Sequence, residues 1–111
     1  MKIMKLLAAS MVMLCAIATS SQAMAADGEK LVAQVCSVCH GAGLMGAPRI
    51  GNTADWQTRL KAAGSVDALV ESAEHGKGNM PPRGGMPSLT DNDLKAAIEV
   101  MLAKSKVDFK S

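Results

Sequence analysis

The sequence predicts one small all-α domain, and three observations carry that reading. Apolar residues recur at helical spacing along most of the chain, and no run of alternating β-branched residues bounded by hairpin turns occurs. The helical segments are separated by two long stretches rich in glycine and proline. At 111 residues the chain has room for a single domain and little more.

The first 25 residues read as an export signal rather than as part of that domain. Lys2 and Lys5 give a positive start, Leu6 to Ala18 is an almost unbroken apolar run, and Ala23-Met24-Ala25 is a small-x-small cleavage site. The run is shorter than the ~20 residues a bilayer span needs, which argues against an uncleaved anchor. Leu14 stands where lipid attachment at Cys15 would want a small residue. Cleavage after Ala25 leaves residues 26–111, 86 in all, and removes Lys2 and Lys5 from the twelve basic residues. Ten bases then face ten acids. The expected product is a soluble periplasmic protein with no stable membrane insertion. With no basic block and almost no aromatic surface, no nucleic-acid partner is expected.

The elements follow in order. Asp27 caps a first helix running to about Val38, with Leu31, Val35 and Val38 on one face. Gly41 to Gly51 is a loop. Thr53 or Asp55 starts a short helix through Trp56 and Leu60 that Gly64 ends. Ser65 caps a third helix with Val66, Leu69, Val70 and Ala73 on its inner face, and Gly76 to Pro87 forms a second long loop. Thr90 and Asp93 approximate a capping box for the last helix, whose stripe is Leu94, Ile98, Met101 and Leu102. Long loops in so small a domain are functional or misassigned. Here they flank the chain's one chemical motif.

Few large apolar side chains are available to this domain, and a chain of this size usually needs an added stabiliser such as a metal or cofactor. Cys36-Ser37-Val38-Cys39-His40 fits Cys-x-x-Cys-His, the attachment signature of c-type haem. Cysteines three apart lie on one helical face, so both thiols can add to the vinyl groups along one porphyrin edge, with the imidazole of His40 beneath the iron. A zinc ribbon would need a second Cys or His pair, and only the lone His75 remains. A thiol–disulfide oxidoreductase would be expected in a βαβ context, which is absent. One covalent haem c supplies the missing apolar bulk.

The chain resembles class I cytochromes c, and most closely the short bacterial kind called cytochrome c-five. The resemblance rests on C-S-V-C-H-G-A-G at 36–43, G-A-P at 46–48, W-Q-T-R at 56–59, M-P-P-R-G-G at 80–85 and L-T-D-N-D-L at 89–94. It implies that the carbonyl of Pro48 accepts from Nδ1 of His40. Two departures stand out. Val32 and Val100 occupy positions where the family commonly has aromatic residues at the crossing of its first and last helices. Met86-Pro87-Ser88-Leu89 replaces a cysteine pair found in some members.

Electron carriers commonly close the second axial position of the iron with methionine. Met45 lies too few residues after His40 to wrap round a porphyrin, Met101 belongs to the core stripe of the last helix, and His75 ends the third helix. Met80 and Met86 share the right loop. Pro81-Pro82 stiffens the chain beside Met80, and the resemblance to the family's M-P-P also selects Met80. Trp56 is either the largest core side chain or, with Arg59, a neighbour of a haem propionate; Arg83 is open in the same way. The function expected is that of a soluble one-electron carrier in a respiratory or related redox chain, meeting donor and acceptor proteins transiently. The alternative is a small haem enzyme or gas-binding protein whose sixth position is open.

Overall fold

The computed structural model describes residues 26–109, so the expected export signal and its cleavage site lie outside the described residues. The helical run that carries the haem motif begins at α1 (Gly28–Leu31), passes through a π-helical stretch at Val32–Cys36, and ends in α2 (Ser37–His40). It is followed by α3 (Thr53–Ala63), α4 (Val66–His75) and α5 (Asp91–Lys104). Among the described residues there is no β-strand; an isolated bridge pairs Lys77 with Met80. The all-α expectation therefore holds.

Local chemistry accounts for most helix ends. The side chain of Asp27 accepts from the amide of Lys30, and that of Ser65 from the amide of Ala68. Thr90 and Asp93 form a reciprocal capping box. Gly64, with φ of 98°, closes α3 in the left-handed conformation that L side chains avoid. α3 starts at Thr53, one of the two starts the sequence allowed. Asn52 is the N-cap, its side chain accepting from Asp55, while the hydroxyl of Thr53 donates to the carbonyl of Ser105 at 2.6 Å.

The first and last helices cross at Gly28. A Cβ there would overlap the carbonyl of Ala96 and come within 2.9 Å of Val100, so only glycine allows this approach. The valines that replace the family's aromatics go with a close crossing, and Val32 is buried within it. The face of the first helix also differs from expectation. Val32 faces the core, whereas Val38 is 65% exposed. The wider π turn shifts the phase of everything after it, leaving Val38 outward while Cys36 packs against the core and His40 is buried. The core itself gathers Val32, Trp56, Val70, Leu94, Ile98 and Leu102.

Behind α3 the chain is tied off by Ser105, which is fully buried. Its hydroxyl accepts from the amide of Gly51 at 2.8 Å, joining the end of α5 to the loop that leaves the haem motif.

Candidate functional site

A cavity of about 540 Å³ opens beside α2, within the ~300–1,000 Å³ usual for small-molecule and cofactor sites. Its walls are largely apolar. Cys36, Cys39 and His40 form one side, and Leu94, Ile98 and Met101 of α5 form the floor. Met80 faces in from the loop between α4 and α5. Arg59, Lys77 and Arg83 also line it, and no carboxylate does so among the described residues.

His40 is buried, and its ring is fixed from several directions. A carbonyl can only accept, so the 2.8 Å contact between Nδ1 and the carbonyl of Pro48 requires the proton on Nδ1. In the neutral imidazole this leaves Nε2 with an available lone pair, the form that binds a metal. The carbonyl of His40 accepts from the amide of Ile50 at 2.8 Å. Trp56 packs against the ring with centroids 5.4 Å apart. The segment 48–50 thus wraps the imidazole with main-chain bonds alone.

Cys36 and Cys39 are both unpaired, and both reach the cavity. Burial pushes the Cys36 thiol above its ordinary range.

Met80 sits half-buried on a tight backbone ring. The amide of Lys77 donates to the carbonyl of Met80 at 3.0 Å, and the amide of Met80 donates back at 2.9 Å. Gly76 makes this fold possible: at φ of 85°, any Cβ would come within 2.9 Å of the Met80 carbonyl. Met86 also lines the cavity but is 42% exposed, and Met45 is 75% exposed. Met101 is buried in the floor, as its place on the α5 stripe required. His75 ends α4 beside Glu74 and is not part of the wall.

Of the two readings of Trp56, the packing one describes its position. It is 4% exposed, it stands behind the imidazole rather than in the cavity wall, and its indole N–H donates to the carbonyl of Arg49 at 2.9 Å. That bond uses the proton expected to face a propionate. Arg59 does line the cavity, with its guanidinium 3.2 Å from the carbonyl of Gly46 and 3.7 Å from Asp55. Sequence reasoning missed Asn79, whose side-chain amide donates to the carbonyl of Met45 and links the two long loops. No local pattern marks it. It also missed the double use of α5, whose stripe serves the core and the cavity floor together.

The family described as cytochrome c oxidase, cbb3-type, subunit III matches over residues 23–101. Cytochrome c5 of Azotobacter vinelandii is 43% identical over 77 residues, which cover 69% of this chain and 93% of that protein. The chain belongs to the small class I c-type cytochromes. Among solved structures it is similar to the cytochrome c in an electron-transfer complex with nitrite reductase, at 39% identity and a TM-score of 0.65, covering 72% of this chain and 98% of that one. It is similar too to a mono-haem ferrocytochrome c from Shewanella putrefaciens, at 49% identity and a TM-score of 0.60, covering 68% and 90% respectively.

As a c-type cytochrome the chain carries one covalent haem c and is an electron carrier. The cavity fits that group on its own terms. It offers apolar walls for a macrocycle, two free thiols on one side, a buried imidazole whose Nε2 has no hydrogen-bond partner among the described residues, and cationic groups suited to two carboxylates. When bound, the haem supplies an iron that accepts and releases one electron.

Proposed function

We propose that Cys36 and Cys39 hold the haem covalently, that His40 and Met80 are its two axial ligands, and that the protein transfers single electrons without transforming a substrate. The observation that carries this reading is the meeting of a tautomer-fixed imidazole and a thioether on a stiffened strap across one cavity. Pro48 serves by fixing the imidazole, Trp56 by packing behind it, and Arg59 by its cationic head at the cavity edge. With both axial positions filled the iron has no site for a substrate, which sets this reading against an enzyme or gas-binding protein. A disulfide oxidoreductase would need a lowered thiol pKa, and burial moves Cys36 the other way.

Encounters with redox partners are brief and use small interfaces. The solved complex of a similar cytochrome with nitrite reductase supports docking of this general kind. Export and cleavage after Ala25 would put the carrier in the periplasm; no described helix is long and apolar enough to cross a membrane.

The test is spectroscopic, on protein matured with a haem-attachment system. Ferric protein should show the weak red charge-transfer band of sulfur–iron ligation, and ferrous protein should take up carbon monoxide slowly. Met80→Ala should abolish the band, lower the potential and open the iron, whereas Met86→Ala should change these little. Loss of the band in the Met86 variant alone would move the ligand to Met86. Rapid carbon monoxide uptake by unmutated protein that never shows the band would favour the open-site alternative.

A further inference from the structure

We infer that Arg83 is the positioning residue of the Met80 strap, a charged clamp whose release lets the thioether leave and small ligands enter. The inference rests on the assignment of Met80 as an axial ligand.

Arg83 lies three residues beyond Met80, in the tight turn Pro82–Gly85. Its backbone is left-handed, with φ of 55° and ψ of 30°, and Gly84 and Gly85 beside it also have positive φ. The left-handed region crowds a Cβ, and glycine enters it freely. A turn that uses glycine at two neighbouring positions nevertheless keeps a long side chain at this one. A strained residue of this kind persists only where the surroundings hold it, and its side chain shows what holds it.

The guanidinium reaches three places at once. One terminal nitrogen donates to the carbonyl of Leu89 at 2.8 Å. The other lies 3.2 Å from Glu74 near the end of α4 and 3.0 Å from Asp91 in the first turn of α5. The side chain is 24% exposed, so these charges are partly sheltered from water. The remaining hydrogen bonds of the segment are short-range: Gly84 to Pro81, Met86 to Arg83, and Leu89 to Met86. Among the described residues, the side-chain bonds that run from residues 81–88 to the flanking helices all come from Arg83. Beside the apolar packing of Met80 and Leu89 on the core, the polar side-chain attachment of the strap to α4 and α5 runs through one planar fork, which a lysine could not reproduce.

Two consequences separate a clamp from a merely structural arginine. Loosening it should speed dissociation of the thioether, and because the attachment is ionic and incompletely buried, salt should loosen it too. The experiment measures carbon monoxide binding to the ferrous haem-loaded protein, together with the ferric sulfur–iron band. It compares unmutated protein with Arg83→Gly, Arg83→Lys and the double variant Glu74→Gln/Asp91→Asn. Arg83→Gly removes the fork and the left-handed strain but also adds backbone freedom, so the carboxylate pair, which leaves the backbone unchanged, isolates the loss of the clamp.

We expect Arg83→Gly to bind carbon monoxide about tenfold faster or more, the change that loss of charge-assisted bonds implies, with a weakened band. Arg83→Lys and the carboxylate pair should fall between it and the unmutated protein. Raising salt to ~1 M should speed binding in unmutated protein and leave Arg83→Gly unaffected. Should Arg83→Gly fail to fold, the carboxylate pair, which keeps every backbone bond, gives the same readout. If Met80→Ala opens the iron while every clamp variant stays within about twofold of unmutated protein at both salts, the clamp is overturned and the ligand assignment stands. If the unmutated protein lacks the band and Met80→Ala changes nothing, the ligand assignment is overturned and the clamp falls with it.

Discussion

The two faces of the haem cavity are held by different kinds of bond. On the His40 face the contacts are neutral and short, and buried or partly buried: Nδ1 to Pro48, the carbonyl of His40 to Ile50, the indole of Trp56 to Arg49, and the amide of Gly51 to the hydroxyl of Ser105. On the Met80 face the backbone makes small closed turns, and the ties to the helices run through the half-buried charge of Arg83. Neutral bonds respond weakly to salt, whereas incompletely buried charges respond more strongly. The imidazole is therefore fixed for the life of the fold, while the thioether is held by contacts that conditions can adjust.

The most damaging change removes what both faces share. In the double variant Cys36→Ala/Cys39→Ala the proposed covalent attachment of the haem is removed, and a small domain with a modest core is left to fold around an apolar cavity. Small domains have little stability in reserve. The variant should be largely unfolded and protease-sensitive. Cooperative thermal unfolding near the temperature of unmutated protein would show that neither face depends on the haem.

Next in size is Trp56→Ala, aimed at the His40 face alone. It removes a side chain that is 4% exposed, its packing on the imidazole and its bond to Arg49. Large-to-small core changes of this type cost about 3–5 kcal/mol. Denaturant unfolding of the haem-loaded protein should show a loss in that range. A loss below ~1 kcal/mol would mean that the imidazole is fixed by its main-chain bonds without the indole.

How much of this was legible in the sequence depends on how far each bond reaches. The haem motif and the caps at Asp27, Ser65 and Thr90 act within a few residues, and the sequence displays them directly. Even the capping of α3 was nearly legible. Asn52 and Thr53 are both good capping residues, and only the fold reveals that the Thr53 hydroxyl is taken by Ser105, 52 positions away. The π turn at Val32–Cys36 leaves no compositional trace, so the helix face drawn at ideal spacing placed Val38 inward when it is exposed. Arg83 was undecidable for the same reason as Trp56: their partners lie in other elements, and nothing local distinguishes a clamp from a haem contact.

Ser105→Ala tests the quiet part of the His40 face. It leaves the amide of Gly51 without its acceptor in a half-buried site, at a cost of about 1–3 kcal/mol. Because the bond is remote from Met80, the sulfur–iron band and the carbon monoxide rate should be unchanged. A changed carbon monoxide rate would mean that the two faces are coupled through the end of α5.

The smallest effect sharpens the comparison most, because it sets one arginine–carboxylate pair against another. Arg59 and Asp55 are 3.7 Å apart and one helical turn apart on α3, with their side chains 39% and 37% exposed. Arg83 and Glu74 are 3.2 Å apart, with side chains 24% and 30% exposed. An exposed pair of the first kind is worth little, so Asp55→Asn should cost about 0.5–1 kcal/mol, much of it from losing a negative charge in the first turn of α3. Arg59 keeps its bond to the carbonyl of Gly46, so its head should stay at the cavity edge. Glu74→Gln deletes one carboxylate in the same way, but from the clamp on the strap. Measured side by side, Asp55→Asn should leave carbon monoxide binding and its salt dependence untouched, while Glu74→Gln should speed the first and reduce the second. Equal responses from the two variants would trace the salt effect to the overall charge of the protein, and the contrast between a fixed and an adjustable face would then be lost.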